Sequence, residues 1–190
     1  MEPPFSHAGE LAALATACCW MASSLAFQGA GRRVGSLPVN LIRLVMALVP
    51  LGAYTWVTRG SVLPMDASPR AWVWLSLSGL VGFAVGDLCL FRAFVLVGAR
   101  ISMLIMTLVP LFTTIFGFLV MGEVLTVQQW AGMALTIAGV SSVVSERRRD
   151  LEGRLERLPP GGILLALGGA VGQALGLVLA KYGMGSYNAF

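Results

Sequence analysis

The sequence predicts an all-α, polytopic transmembrane helix bundle, and three observations point there. Of 190 residues, 57% are hydrophobic and only 12% charged, whereas a soluble domain carries roughly 25% charge to cover its surface. The apolar residues lie in six runs, each near the ~20 residues that cross ~30 Å of hydrocarbon. These runs are continuous, without the every-second-residue alternation of an outer-membrane barrel. Finally, an offset of 153 residues lays the first run on the sixth, as in bundles built from internal repeats.

The first span is expected from about Glu10 to Gly29, with no formal charge between Leu11 and Gly31. Ala13, Ala17, Trp20, Ser24 and Gln28 share one helical face, smaller and more polar than the rest. That face suits packing against neighbouring helices, and it suits the wall of a cavity equally. Glu2 and Glu10 stand where a signal peptide carries positive charge, and no A-x-A site follows a short apolar core, so the span reads as retained. Arg32 and Arg33 follow in a Gly-rich loop.

Pro38, suited to a first helical turn, opens the second span, which runs to about Trp56. Asn40, Arg43, Ala47, Pro50 and Tyr54 recur at steps of three or four and form a second polar-to-small stripe. Arg43 is close enough to the span's start to snorkel to the interface; lining a cavity or pairing with an acid fits its place as well. The segment 58–70, with Pro64, Asp66 and Pro69, is a connector. Trp72 and Trp74 then mark the membrane interface.

The third and fourth spans hold the residues that lipid tolerates least. Ala71 to Leu96 carries Gly79, Gly82 and Gly86 at steps of three and four, and Gly82–Gly86 is a GxxxG pair that lets another backbone approach. Asp87 sits beside this glycine face. A carboxylate so placed costs about 2.5–3.5 kcal/mol unless it is protonated, paired or facing water. It is either paired with an arginine or serves a solute or a proton. After a tight Gly98-Ala99-Arg100 turn, residues Ile101–Gly122 are free of charge. Pro110 removes the donor to the Met106 carbonyl and bends this helix. Thr107, Pro110 and Thr114 fall on one face, extended by Met103, which reads as a kinked cavity wall whose hydroxyls also re-satisfy freed carbonyls. Glu123 closes the span as a helix-end residue.

Thr126 is placed to cap the fifth span, Val127 to Ser145, in which Gly132 and Gly139 are spaced for close packing. Residues 146–160 form a charged linker with five arginines and four acids, which reads as a solvated connector; Leu151, Leu155 and Leu158 share a helical face, which suits a short interfacial helix as the alternative. The sixth span, Gly161 to Ala180, repeats glycine at 168, 172 and 176. Under the 153-residue offset Gly9 falls on Gly162, Ala17 on Ala170, Trp20 on Gln173 and Gln28 on Lys181. The domain reading is therefore a five-span repeat over 9–145, the linker, and the start of a second repeat over 161–190.

Several functions are disfavoured. The net charge of +4 comes from arginines in short loops, so it orients the chain in a membrane and does not mark a nucleic-acid partner. Cys18, Cys19 and Cys89 lie in apolar runs without CxxC spacing and read as small core-filling residues. His7 is the single histidine, which removes histidine metal sites and Ser-His chemistry. GxSG with a histidine, HExxH and paired-carboxylate motifs are absent from the spans, so no enzyme, cofactor or metal is expected.

Trp20 in the first span, Arg43 in the second, Pro110 in the fourth, Gly122-Glu123 at its end, and Gly132/Gly139 in GMALTIAGV occur in one order over Gly9–Val144. In this the chain resembles the EamA-type branch of the drug/metabolite transporter superfamily. The resemblance implies ten spans in two inverted five-span repeats around a central cavity, and movement of small metabolites, often by exchange or proton coupling. Against that pattern the chain reads as cut after its sixth span. Loops after odd-numbered spans hold nine Lys and Arg against three on the other side, which places the N-terminus outside the plasma membrane, although the resemblance implies a cytoplasmic one. The functional expectation is a small-solute transporter working by alternating access, with Trp20, Ser24, Arg43, Asp87, Thr107, Pro110 and Thr114 lining the cavity. The alternative is a non-transporting scaffold or partner subunit that needs a second chain, or a homo-oligomer, to complete the bundle.

Overall fold

Every apolar run becomes helix, because only internal hydrogen bonding satisfies a backbone in hydrocarbon. The computed structural model describes residues 8–63, 67–122, 125–145, 148–149, 155–156 and 158–185. Helix α1 (Ala8–Val34) leads through Gly35, at φ +90°, into α2 (Ser36–Arg59). The third span starts as α3 (Pro69–Gly79), where the Ser68 hydroxyl accepts the Ala71 N–H at 3.2 Å. It widens into a π-helical stretch, Leu80–Gly86, and resumes as α4 (Asp87–Leu96). Gly98, at φ +88°, turns the chain into α5 (Ala99–Met106) as the Gly98-Ala99-Arg100 spacing predicts; a side chain there would be strained.

Pro110 breaks the fourth span as expected. Its ring nitrogen has no hydrogen to give the Met106 carbonyl, and the chain tightens: Thr107 N–H bonds Leu104 O at 3.1 Å and Leu108 N–H bonds Ile105 O at 3.0 Å. Helix α6 (Val109–Met121) continues beyond the break, and α7 (Val127–Ser145) follows. Thr126 caps α7 reciprocally with Gln129: Gln129 N–H donates to the threonine hydroxyl at 3.3 Å, and Thr126 N–H donates to Gln129 Oε1 at 2.8 Å. Among the described residues, five stretches are long and apolar enough to cross a membrane: Gly9–Val34, Ser36–Thr58, Pro69–Leu96, Ala99–Met121 and Pro160–Met184. The other predicted span, α7, forms its helix, with Gln128 and Gln129 diluting the first turn.

The linker departs from the helical alternative. A short antiparallel ladder pairs β1 (Arg148–Arg149) with β2 (Leu155–Glu156) in place of the interfacial helix. Gly153, between them in sequence, disfavours a helix by about 1 kcal/mol and suits a strand-to-strand connection. Leu151 and Glu123 lie outside the described residues.

Helix α8 (Pro160–Met184) is the spine of the bundle. It runs antiparallel along the whole third span: Trp74 stacks edge-on against Tyr182 with ring centres 4.9 Å apart, Gly82 faces Gly176, Gly86 faces Gly172, and Val97 meets Gly162. A methyl group on Gly172 would lie 2.8 Å from the Gly86 Cα, so the two GxxxG faces touch backbone to backbone. Ser78 donates its hydroxyl to the Gly176 carbonyl at 2.6 Å and pins the crossing. The core lies where α4, α5 and α8 meet, around Leu90, Phe91, Phe94, Met106 and Ala170, with Ala93, Val97, Ile105 and Ala166 adjoining. Two packing expectations fail. Gly132 and Gly139 face open space. Cys18 and Cys19 are exposed on α1, because that face of the helix is turned away from the other spans.

Candidate functional site

Helix α2 lies against α4, and this contact brings Arg43 onto Asp87. An arginine that snorkelled would point to the interface; this one turns inward and forms an ion pair with the Asp87 carboxylate through Nη2. The same Nη2 reaches Asn40 Oδ1, one turn earlier on α2, at 3.3 Å. The Asn40 amide then donates to the carbonyls of Phe83 at 3.2 Å and Ala84 at 3.3 Å. Those carbonyls belong to the π-helical stretch, where the wider turn disturbs the ordinary ladder. Asn40 therefore repairs the widened turn and positions Arg43, and the turn in turn presents Asp87.

The guanidinium also lies over two aromatic rings, 5.3 Å from the Phe91 centre and 5.9 Å from that of Phe83. It is the roof of a cleft of about 270 Å³. Trp20, Ser24 and Phe27 of α1 form one wall; Asp87, Leu90, Phe91 and Phe94 form another; Met103 of α5 and Gln173 of α8 close it. Ser24 is buried, and its hydroxyl donates to the Met21 carbonyl at 2.8 Å. Trp20 and Gln173, matched by the 153-residue offset, border the same cavity.

The structure thus gathers Trp20, Ser24, Arg43 and Asp87 into one site, with Gly82 and Gly86 behind Asp87 seating α8. Thr107, Pro110 and Thr114 do not line this cleft. Thr107 and Pro110 are exposed, and the two threonine hydroxyls donate to Leu104 O at 2.6 Å and Pro110 O at 2.7 Å. Each bonds a carbonyl of its own helix, and neither of these is the Met106 carbonyl that Pro110 frees. Only Met103, the extension of that face, reaches the cavity. Sequence reasoning missed Gln173 and the phenylalanine walls, as well as the widened helix. A lone amide in an apolar span marks Gln173; nothing in the periodicity marks the π turn. Gln28, grouped with Trp20 by spacing, instead accepts the Ala99 N–H at 2.8 Å and caps α5.

Asn40→Leu keeps the volume and removes three buried hydrogen bonds. Unfolding of that variant in mixed micelles is expected to show a loss of about 1–3 kcal/mol, the cost of stranding buried polar groups; an unchanged midpoint would contradict the role given to Asn40.

A helical bundle with five stretches long and apolar enough to cross a bilayer, and with a small, mixed polar and aromatic cleft among its helices, marks a multi-pass membrane protein. Residues 7–145 match the EamA-like transporter family, and the chain belongs to it. It is 34% identical over 112 residues, 56% of this chain and 79% of the relative, to a protein of Sinorhizobium sp. described as an uncharacterized transporter in the cobO 3' region. No solved structure matches the chain.

Proposed function

We propose that the protein moves small solutes across the plasma membrane by alternating access, and that the cleft beneath Arg43 is where the solute rests. The observation that carries this is the Arg43–Asp87 pair: two charges held within the bundle at the lining of a cavity. A pair kept for stability alone is poorly explained, since burying ions seldom repays their desolvation, and ionisable groups inside spans mark solute or proton paths. Asp87 is also the acid of the cleft, and so the group that would carry a coupling proton. The break at Pro110 and the glycine crossing of α8 supply places where helices can shift. Family membership and the transporter-named relative of Sinorhizobium sp. agree with this reading. Arg32, Arg33, Arg92, Arg100 and the linker's five arginines on one side, against Arg59, Arg70 and Lys181 on the other, support an orientation with the linker in the cytoplasm.

The test is counterflow. Proteoliposomes loaded with a bacterial small-metabolite extract should release a defined subset of it, read by mass spectrometry, and Asp87→Asn vesicles should not. Equal release from wild-type, Asp87→Asn and protein-free vesicles would refute the proposal.

A further inference from the structure

The Arg43 guanidinium lies where two aromatic rings and an acid of the cleft meet. Two aromatic faces, Phe91 and Phe83, and one carboxylate, Asp87, surround its guanidinium, and that combination is the one that recognises organic cations. The side chain is held there incompletely. Both of its hydrogen bonds use Nη2, and Nε is buried with no partner among the described residues. The two side chains also differ in burial within the protein: that of Arg43 is 28% exposed and that of Asp87 only 7%. At 1.5 Å per residue, Arg43 lies about 10 Å from the start of α2, within reach of the interface for a long side chain.

These facts separate two kinds of solute. An anion seated on Arg43 would pull it from Asp87 and strand the more buried carboxylate. A cation seated on Asp87 would displace only the residue that has somewhere to go. We propose that Arg43 is a tethered stand-in for a cationic solute: the cleft takes an organic ammonium ion with an aromatic or apolar body, which replaces the guanidinium on Asp87, Phe83 and Phe91 and sends Arg43 outward. The proposal rests on the cleft being the solute site and adds the solute's charge. It also gives Arg43 a regulatory part. The site is neutralised when empty, so a buried carboxylate is never left bare during the return of the unloaded protein.

The experiment is calorimetric titration of the full chain in lipid nanodiscs with phenyltrimethylammonium and, as an anion of similar bulk, benzoate. The ammonium ion is expected to bind and benzoate not to. Arg43→Gln removes the competitor and should tighten ammonium binding about tenfold, the scale of a desolvated cation–π contact. Asp87→Asn should abolish it. Arg43→Lys keeps a cation and so guards against a folding failure; its ammonium group fits the place over the rings less well, and a tightening of about threefold is expected. Benzoate binding that disappears in Arg43→Gln, or ammonium binding that both Arg43 variants weaken or leave unchanged, would overturn the stand-in while leaving the cleft as the solute site. Binding of neither probe by wild type or any variant would overturn the stand-in and remove support for the cleft itself.

Discussion

Gly172→Val is expected to unseat α8 and with it most of the fold. The position admits no side chain: a Cβ there would lie 2.8 Å from the Gly86 Cα and 3.2 Å from the Val81 carbonyl oxygen. Both are backbone atoms, so no rotamer change relieves the clash, and the helices must separate. Overpacking of this kind costs about 1–3 kcal/mol, occasionally more. The upper end applies here because α8 forms one side of both core clusters. Gly168→Ala, one turn away on the same helix, is the control: its Cβ would meet only the Cys89 side chain, at 3.8 Å. Thermal midpoints in detergent should fall sharply for Gly172→Val and hold for Gly168→Ala. Equal midpoints would mean that the glycine crossing does not carry the bundle.

The ion pair should break asymmetrically. Arg43→Ala leaves a carboxylate with 7% of its surface exposed and no counter-charge. On insertion scales such a group in mid-span costs about 2.5–3.5 kcal/mol. Asp87→Asn leaves the arginine instead, which is more exposed and can extend toward the interface. Arg43→Ala is therefore expected to lower the unfolding midpoint clearly more than Asp87→Asn. Removing both charges should recover stability toward the wild-type value, as replacement of buried pairs often does. Transport should be lost in all three. A double variant less stable than Arg43→Ala would contradict the pairing.

Most of the bundle was legible because hydrocarbon imposes one rule on every span: long apolar runs must be helices, and residues that break the rule must be answered. Asp87 pointed to a partner, and Arg43 was among the arginines within reach. The step from Gly82 to Gly86 announced a close backbone, which proved to be Gly172 and Gly176 of α8. Thr126, with Gln129 three residues on, announced its cap. What sequence could not show depends on depth and local winding. The π turn has no period of its own, so the role of Asn40 in mending it was hidden. Thr107 and Thr114 share a helical face, but the break at Pro110 turns that face away from the cleft. Gly132 and Gly139, seven residues apart, share a face and meet nothing, because spacing records which residues share a face and not what lies opposite. The leucine periodicity of the linker suited a helix, where Arg148–Arg149 instead pairs with Leu155–Glu156.

The central claim is that the cavity beneath Arg43 and Asp87 opens to the two sides of the membrane in turn. Ser24 is buried in its wall, so Ser24→Cys, with Cys18, Cys19 and Cys89 replaced by alanine, reports on it directly. The measurement is its rate of labelling by a membrane-impermeant maleimide added to each face of sealed proteoliposomes. The account predicts modification from both faces, slowed on both by solute. Labelling from one face alone under every condition would contradict it.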